Sequence, residues 1–153
     1  MVIYIGADHR GFNLKEGLIS YFKESGYEII DCGNIEHNDQ DDYVDFASEV
    51  ARQVGKDASR RGIVLCGSGV GVSIVANKFP NIRCSLCFSA DQAIAARHDD
   101  DANVIAIPAD FILGDVAKKI ISTWLQTDFD GGDAYVRRVQ KISEVEYEVK
   151  ESK

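Results

Sequence analysis

A cysteine followed by glycines at alternating positions is the segment of this 153-residue chain best equipped for chemistry. In Cys66-Gly67-Ser68-Gly69-Val70-Gly71 the glycines let the backbone fold tightly and aim several N–H groups at one point. A helix starting there adds partial positive charge. Such a nest holds a phosphate or a developing oxyanion, and it favours the thiolate of a neighbouring cysteine, whose ordinary pKa is about 8.5. The plainer reading is a glycine-rich strand-to-helix turn around a buried thiol. The spacing matches neither the dinucleotide fingerprint nor the Gly-Lys-Ser/Thr nucleotide loop. Val72 stands where a Cys-x5-Arg phosphatase needs its arginine.

Two other segments carry titratable groups. Asp8-His9 follows the apolar run Val2–Gly6. An aspartate so placed is commonly a helix cap, but beside a thiol nest Asp and His can handle hydroxyls and protons. A receiver-like domain would need a phospho-acceptor aspartate at the end of the third strand, where this chain has Cys66. His98-Asp99-Asp100-Asp101 is the third segment, with a solvated acidic turn as its plain alternative. His37 lies in a polar loop and is given no role. Cys84-x-x-Cys87 has no second pair or histidine cluster to complete a metal site, and in a strand its residues face opposite ways. Free thiols in a reducing compartment are therefore expected, without metal.

The elements that must position these groups alternate along the chain. Strands are predicted at Val2–Gly6, Tyr27–Asp31, Gly62–Cys66, Ile82–Phe88 and Asn103–Ile107. Between them, Leu14, Leu18, Tyr21 and Phe22 recur at helical spacing, as do Tyr43, Phe46, Ala47, Val50, Ala51 and Val54, with Asp41 or Asp42 as cap. A helix after the glycine loop ends before Pro80, another spans Ala90–His98, and Ala117, Ile120, Ile121 and Trp124 mark a further one. Past Asp130-Gly131-Gly132, Val136, Val139 and Ile142 indicate a last helix over about 132–145, and EVEYEV fits either its continuation or an edge strand. Strict alternation with continuous apolar strands predicts one doubly wound α/β domain over 1–153, a five-stranded parallel sheet covered on both faces. Ligands in such sheets sit at the carboxyl ends of the strands.

Composition narrows the partners. Asp plus Glu number 25 against 17 Lys plus Arg, a net charge of −8, which disfavours nucleic acid and anionic membrane. No apolar run approaches the roughly 18 residues of a membrane helix. The start of the chain lacks the basic, apolar and cleavage segments of a secretion signal, so a cytoplasmic location is expected.

DHRGFNLK near the start, CGSGVGVSIVANK, and FDGG followed by an Arg-containing helix together resemble ribose-5-phosphate isomerase B and the galactose-6-phosphate isomerase subunits. The resemblance runs over about residues 2 to 145 and implies a Rossmann-like fold. It implies aldose–ketose isomerisation of a sugar or sugar phosphate through an enediol, without metal or organic cofactor. By position, Cys66 would transfer the proton and Ser68 would assist with hydroxyl protons. The N–H groups of Gly67, Gly69, Val70 and Gly71 would form the anion hole, Asp8 would bind sugar hydroxyls and His9 the substrate. Homodimers, or dimers of dimers, would share active sites, with the last helix packing on a neighbouring subunit.

The chain departs from that pattern at charged positions. Where relatives have Arg-x-His-Asn-Asp-Ala-Asn, the order here places Asp99 at the ring-opening histidine and Asp100 at the sugar-binding asparagine, with His98 one residue early. Asp110 replaces the arginine after strand five, and Asp133-Ala134 replaces an Arg-His clamp; Arg137 or Arg138 remains. A carboxylate near phosphate repels it. The departures fit an enzyme for an unphosphorylated or amino-bearing sugar, one that holds phosphate by other basic residues, or a non-catalytic sugar-binding or regulatory relative.

Overall fold

Alternate residues of each central strand enter different cores, so the strands must be sandwiched between helices. In the computed structural model, which describes the backbone of residues 1–151 and the side chains of 1–148, the strands are β1 (Val2–Ala7), β2 (Glu28–Asp31), β3 (Arg61–Cys66), β4 (Cys84–Leu86) and β5 (Val104–Pro108). The helices are α1 (Phe12–Glu24), α2 (Tyr43–Val54), α3 (Val70–Ala76), α4 (Ala90–His98), α5 (Gly114–Gln126) and α6 (Asp133–Glu151). Ile3, Ile5, Ile63, Leu65, Ile105 and Ile107 pack against Leu18 and Phe22 of α1, Ala93 of α4, and Ile120, Ile121 and Trp124 of α5. Tyr4, Val64, Val104 and Ala106 face the other way, onto Ala47, Val50 and Val54 of α2 and Val72 and Ala76 of α3. The period-2 alternation of strand side chains thus splits one apolar run between two layers.

All four strand pairings are parallel, in the order β2-β1-β3-β5-β4. From β1 the chain passes outward to β2, then crosses back to β3 on the other side of β1. The connections therefore diverge between the carboxyl ends of β1 and β3, the position where such sheets open a crevice. The register pairs Ala7 with Leu65, so the next residues out, Asp8 and Cys66, leave the sheet side by side.

The structure bears out the doubly wound α/β reading and adjusts its edges. β4 keeps only three of the seven residues expected, because side chains take over the backbone groups on either side. Arg83 N–H is bound by Asn103 Oδ1 at 2.9 Å, Cys84 N–H by Asn77 Oδ1 at 2.8 Å and Phe88 N–H by Gln92 Oε1 at 2.7 Å. α2 is capped by Asp42, whose Oδ1 accepts from Val44 N–H at 3.1 Å. EVEYEV continues α6 as helix, since no Gly or Pro interrupts it after Gly132. Cys84 lies in the core on the α2–α3 side and Cys87 in the opposite one, so the pair cannot converge on one ion.

Candidate active site

Cys66 ends β3 with its side chain nearly buried. The Gly69 N–H donates to its Sγ at 3.2 Å, a contact made by a backbone that doubles back. Gly69 achieves this at φ +71°, and a Cβ there would lie 2.5 Å from Leu86 Cδ1 and 3.1 Å from Pro108 N. Ser68 Oγ accepts from Val70 N–H at 3.3 Å. The other three thiols are unsuited to proton transfer. Burial pushes Cys32 up to about 12 and raises Cys84 and Cys87 as well, so all three remain protonated at neutral pH.

Asp8 is also buried, and its Oδ1 accepts from both Arg10 and Gly11 N–H at 3.0 Å, closing the turn into α1. That turn fixes His9 and Arg10 at the crevice. His9 is held by Asp41, whose Oδ1 accepts from the His9 backbone N–H at 3.0 Å and lies 2.7 Å from ring Nδ1. Asn34 Nδ2 donates to the second Asp41 oxygen at 2.8 Å. The hydrogen bond to Asp41 raises the His9 pKa against the opposing effect of desolvation, with the charge of Asp8 adding to the rise. Burial pushes the Asp41 carboxyl up, but hydrogen bonds from His9 and Asn34 outweigh it and leave it below its ordinary value. The imidazole therefore presents Nε2 to the crevice with Nδ1 occupied. The Arg10 guanidinium lies over Gly67, where a Cβ would come within 2.3 Å of it, and pairs with Asp110 at the end of β5. The Tyr43 ring covers Gly71 in the same way, 2.7 Å from the position of a Cβ.

The remaining expected site residues gather at the other end of the sheet. β5 runs from Val104, opposite Gly62, to Pro108, opposite Cys66. His98, Asp99 and Asp100 precede β5 and so lie about 13 Å or more from the Cys66 end, at 3.3 Å per strand residue. His98 Nδ1 is 2.7 Å from Asp99 Oδ1 and its Nε2 is 3.3 Å from Asp130 Oδ2; the Asp99 contact raises its pKa, opposed by desolvation and helped by Asp130. Its ring meets Tyr135 edge-on at 5.5 Å, which brings the start of α6, with Asp133 and Arg137, to this group. Arg138 is 5.6 Å over the same Tyr135 ring. Asp101 joins Arg83 at 2.6 Å to Arg97 at 2.7 Å and holds the loop. The structure thus unites Asp8, His9, Cys66, Ser68, the glycines, Val70 and Asp110 at one end. It collects His98, Asp99, Asp100, Asp133 and Arg137 at the other.

Sequence reasoning passed over Arg10, Asp41 and Tyr43 as site residues. Arg10 sits inside the quoted DHRG motif, adjacency that was a usable signal. Asp41 reads from the sequence only as a cap, and nothing local distinguishes it from Asp42. No group of three or more His, Cys, Asp or Glu placed to hold a metal occurs among the described residues.

Comparison with known proteins agrees with the fold and identifies the family. A family model described as Ribose/Galactose Isomerase matches residues 3–142. Ribose-5-phosphate isomerase B of Escherichia coli K12 is 38% identical over 144 residues, covering 94% of this chain and 95% of its own length. The Mycobacterium tuberculosis enzyme of that name is 36% identical over 146 residues, covering 95% and 90%. The structure of ribose-5-phosphate isomerase B from Clostridium thermocellum superposes with a TM-score of 0.91 at 42% identity, over 97% of this chain and 99% of that one. The Mycoplasma genitalium enzyme with bound ribulose-5-phosphate gives 0.93 at 36% identity, over 96% and 97%. With a family match over most of its length, and a thiol and glycine loop at the crevice of the matching fold, this chain belongs to the Ribose/Galactose Isomerase family.

Proposed function

We propose that this aldose–ketose isomerase moves a proton between C2 and C1 of an open-chain sugar with Cys66 as the base, in the manner of a ribose 5-phosphate to ribulose 5-phosphate conversion. The observation that carries the reading is the Cys66 Sγ beside the Gly69 N–H at 3.2 Å, next to buried Asp8 at the β1–β3 crevice. The Cys66 thiolate removes the C2 proton, and electrons move into the carbonyl to give an enediolate. Backbone N–H groups of the loop from Gly67 to Gly71 take the charge on oxygen. The thiol returns the proton at C1, while Ser68 passes the proton between the two oxygens and Asp8 holds neighbouring hydroxyls. Side chains and backbone suffice for each step.

Ring opening calls for a second copy of the chain. His98 and Asp99 are too far from Cys66 to act in the same subunit, whereas a symmetric dimer can bring one subunit's loop to the other's crevice. Exposed Val70, Ile74, Phe88 and Phe111 surround the crevice, and Ile142 and Val145 are exposed along α6, apolar surface that such packing would cover. His98 or Asp99 then serves the ring oxygen, with Asp100, Asp133 and Arg137 lining the far side of the sugar. No helix among the described residues is long and apolar enough to cross a membrane. Four free thiols fit a reducing compartment such as the cytoplasm.

The test is isotope exchange. Incubation with ribose 5-phosphate, and separately with free aldoses, in deuterated water should place deuterium at C2 of the substrate. The exchange should vanish in Cys66→Ala. A bound sugar that never exchanges would mark a binding or regulatory protein instead.

A further inference from the structure

Arg10 is a cation seated directly on the glycine loop, and its seat is built. Its guanidinium lies over Gly67 so closely that any side chain at that position would collide with it, at 2.3 Å from its central carbon. Asp110 completes the arrangement from below. Its backbone N–H donates to Gly67 carbonyl oxygen at 3.0 Å, and its carboxylate accepts from the Arg10 guanidinium. Gly67, Asp110 and Arg10 therefore form a closed ring of contacts between residues ten, sixty-seven and one hundred and ten of the chain.

An ordinary surface pair of this exposure is worth little to stability, since solvent screens it and two flexible side chains must be ordered. Its position gives it a different use. The Arg10 side chain is 56% exposed, so donors not taken by Asp110 remain available at the crevice. A guanidinium has five N–H donors in a planar fork that matches phosphate oxygens two at a time. The Asp110 carboxylate, which alone would repel phosphate, is engaged with Arg10 and the pair is neutral overall.

We propose that Arg10, positioned by Asp110, is the residue of this chain that takes the anionic group of a sugar-phosphate substrate, at a position where relatives use the arginine that Asp110 replaces. The inference rests on the isomerase reading above and narrows it. Arg10 touches the substrate; Asp110 is a positioning residue that acts through it.

The experiment compares the purified full-length protein with Arg10→Ala, Asp110→Asn and the double variant, using ribose 5-phosphate and D-ribose. Loss of a charged hydrogen bond should raise KM for ribose 5-phosphate about tenfold or more in Arg10→Ala, with a much smaller change in kcat. The preference for the phosphorylated over the free sugar should fall by a similar factor. Asp110→Asn should raise KM by less, and the double variant should be no worse than Arg10→Ala, as expected if Asp110 works only through Arg10. Thermal unfolding within a few degrees of the parent shows that the variants are folded. An unchanged KM in folded Arg10→Ala, or an equal loss for both sugars, overturns the proposal. If the parent protein turns over neither sugar, the isomerase reading itself fails, and calorimetric titration with ribose 5-phosphate then decides on Arg10. Weaker binding by Arg10→Ala supports its role, and equal binding, or no binding by the parent, refutes it.

Discussion

Alanine at Gly67 and alanine at Gly69 should behave in opposite ways, although the two positions are neighbours in one loop. At Gly69 the backbone is left-handed, φ +71°, which costs an L-residue about 1–2 kcal/mol. Its Cβ would also meet Leu86 Cδ1 at 2.5 Å, Pro108 N at 3.1 Å and Ile107 C at 3.3 Å. The leucine tip can rotate, but the β5 backbone is fixed by its ladder with β3, so overpacking adds about 1–3 kcal/mol. Gly69→Ala should therefore cost about 2–5 kcal/mol, a large part of the roughly 5–15 kcal/mol typical of a domain. At Gly67 the nearest atoms to a new Cβ, at 2.3 to 2.7 Å, all belong to the Arg10 guanidinium. That side chain is long, half exposed and held there by one surface pair, so it can swing away at a cost of about 0.5 kcal/mol or less. Stability should hardly change, while the donors of Arg10 leave the crevice. Urea unfolding of the two variants, with m unchanged, measures the first difference. KM for ribose 5-phosphate measures the second and should rise for Gly67→Ala. Equal destabilisation by the two substitutions would refute the reasoning, because it would mean that Arg10 is not what limits space at Gly67.

Replacing Asp41 with Asn should lower the His9 pKa toward the ordinary value of about 6.5, as followed by proton chemical shifts of the ring. Because the folded pKa of His9 is raised, the His9–Asp41 pair stabilises the protein below the unfolded value and loses that contribution as pH rises through the folded one. Asp41 has the opposite sign: its depressed pKa gives stability above about 3.9, lost as pH falls through the folded value. The difference in stability between parent and Asp41→Asn should accordingly be largest near pH 5–6. Mixing inactive Cys66→Ala with an inactive His98→Ala/Asp99→Ala double variant, then refolding them together, should restore about a quarter of parental activity if each site draws on two subunits. Activity no greater than that of the separate proteins would place ring opening elsewhere.

The layers were legible because strand side chains alternate and helical ones recur at 3.6 residues, both local properties. Cys66 and its glycines were legible for the same reason, since the chemistry of that loop is written in six consecutive residues. What periodicity does not carry is the order of strands. Placing β5 between β3 and β4 brings Asp110 to Cys66 and sends His98 to the far end, although both residues flank the same strand. The Arg10–Asp110 pair spans one hundred residues, and a contact of that separation leaves no local trace. Asp41 and Asp42 differ only in direction. The helix start turns Asp42 inward to Val44 N–H, and the loop turns Asp41 toward His9.

The excess of acid in the chain takes a different meaning once its contacts are known. Read as isolated charges, Asp110 and its fellow carboxylates would empty the crevice of anions. In the folded chain the Asp41 side chain is buried against His9 and Asp110 is joined to Arg10, so these two carboxylates fix an imidazole and a guanidinium at the crevice. The two donors come from consecutive residues of a single turn, and that turn is itself closed by Asp8. A carboxylate that orients a donor stabilises the donor's charged form and its direction together, and a positioned donor loses less entropy on meeting its ligand. The net charge at the crevice is then a poor guide to what it binds, and the placement of His9 and Arg10 is the better one. Acidity of this kind is compatible with an anionic substrate, provided the donors face the sugar and the carboxylates stand behind them.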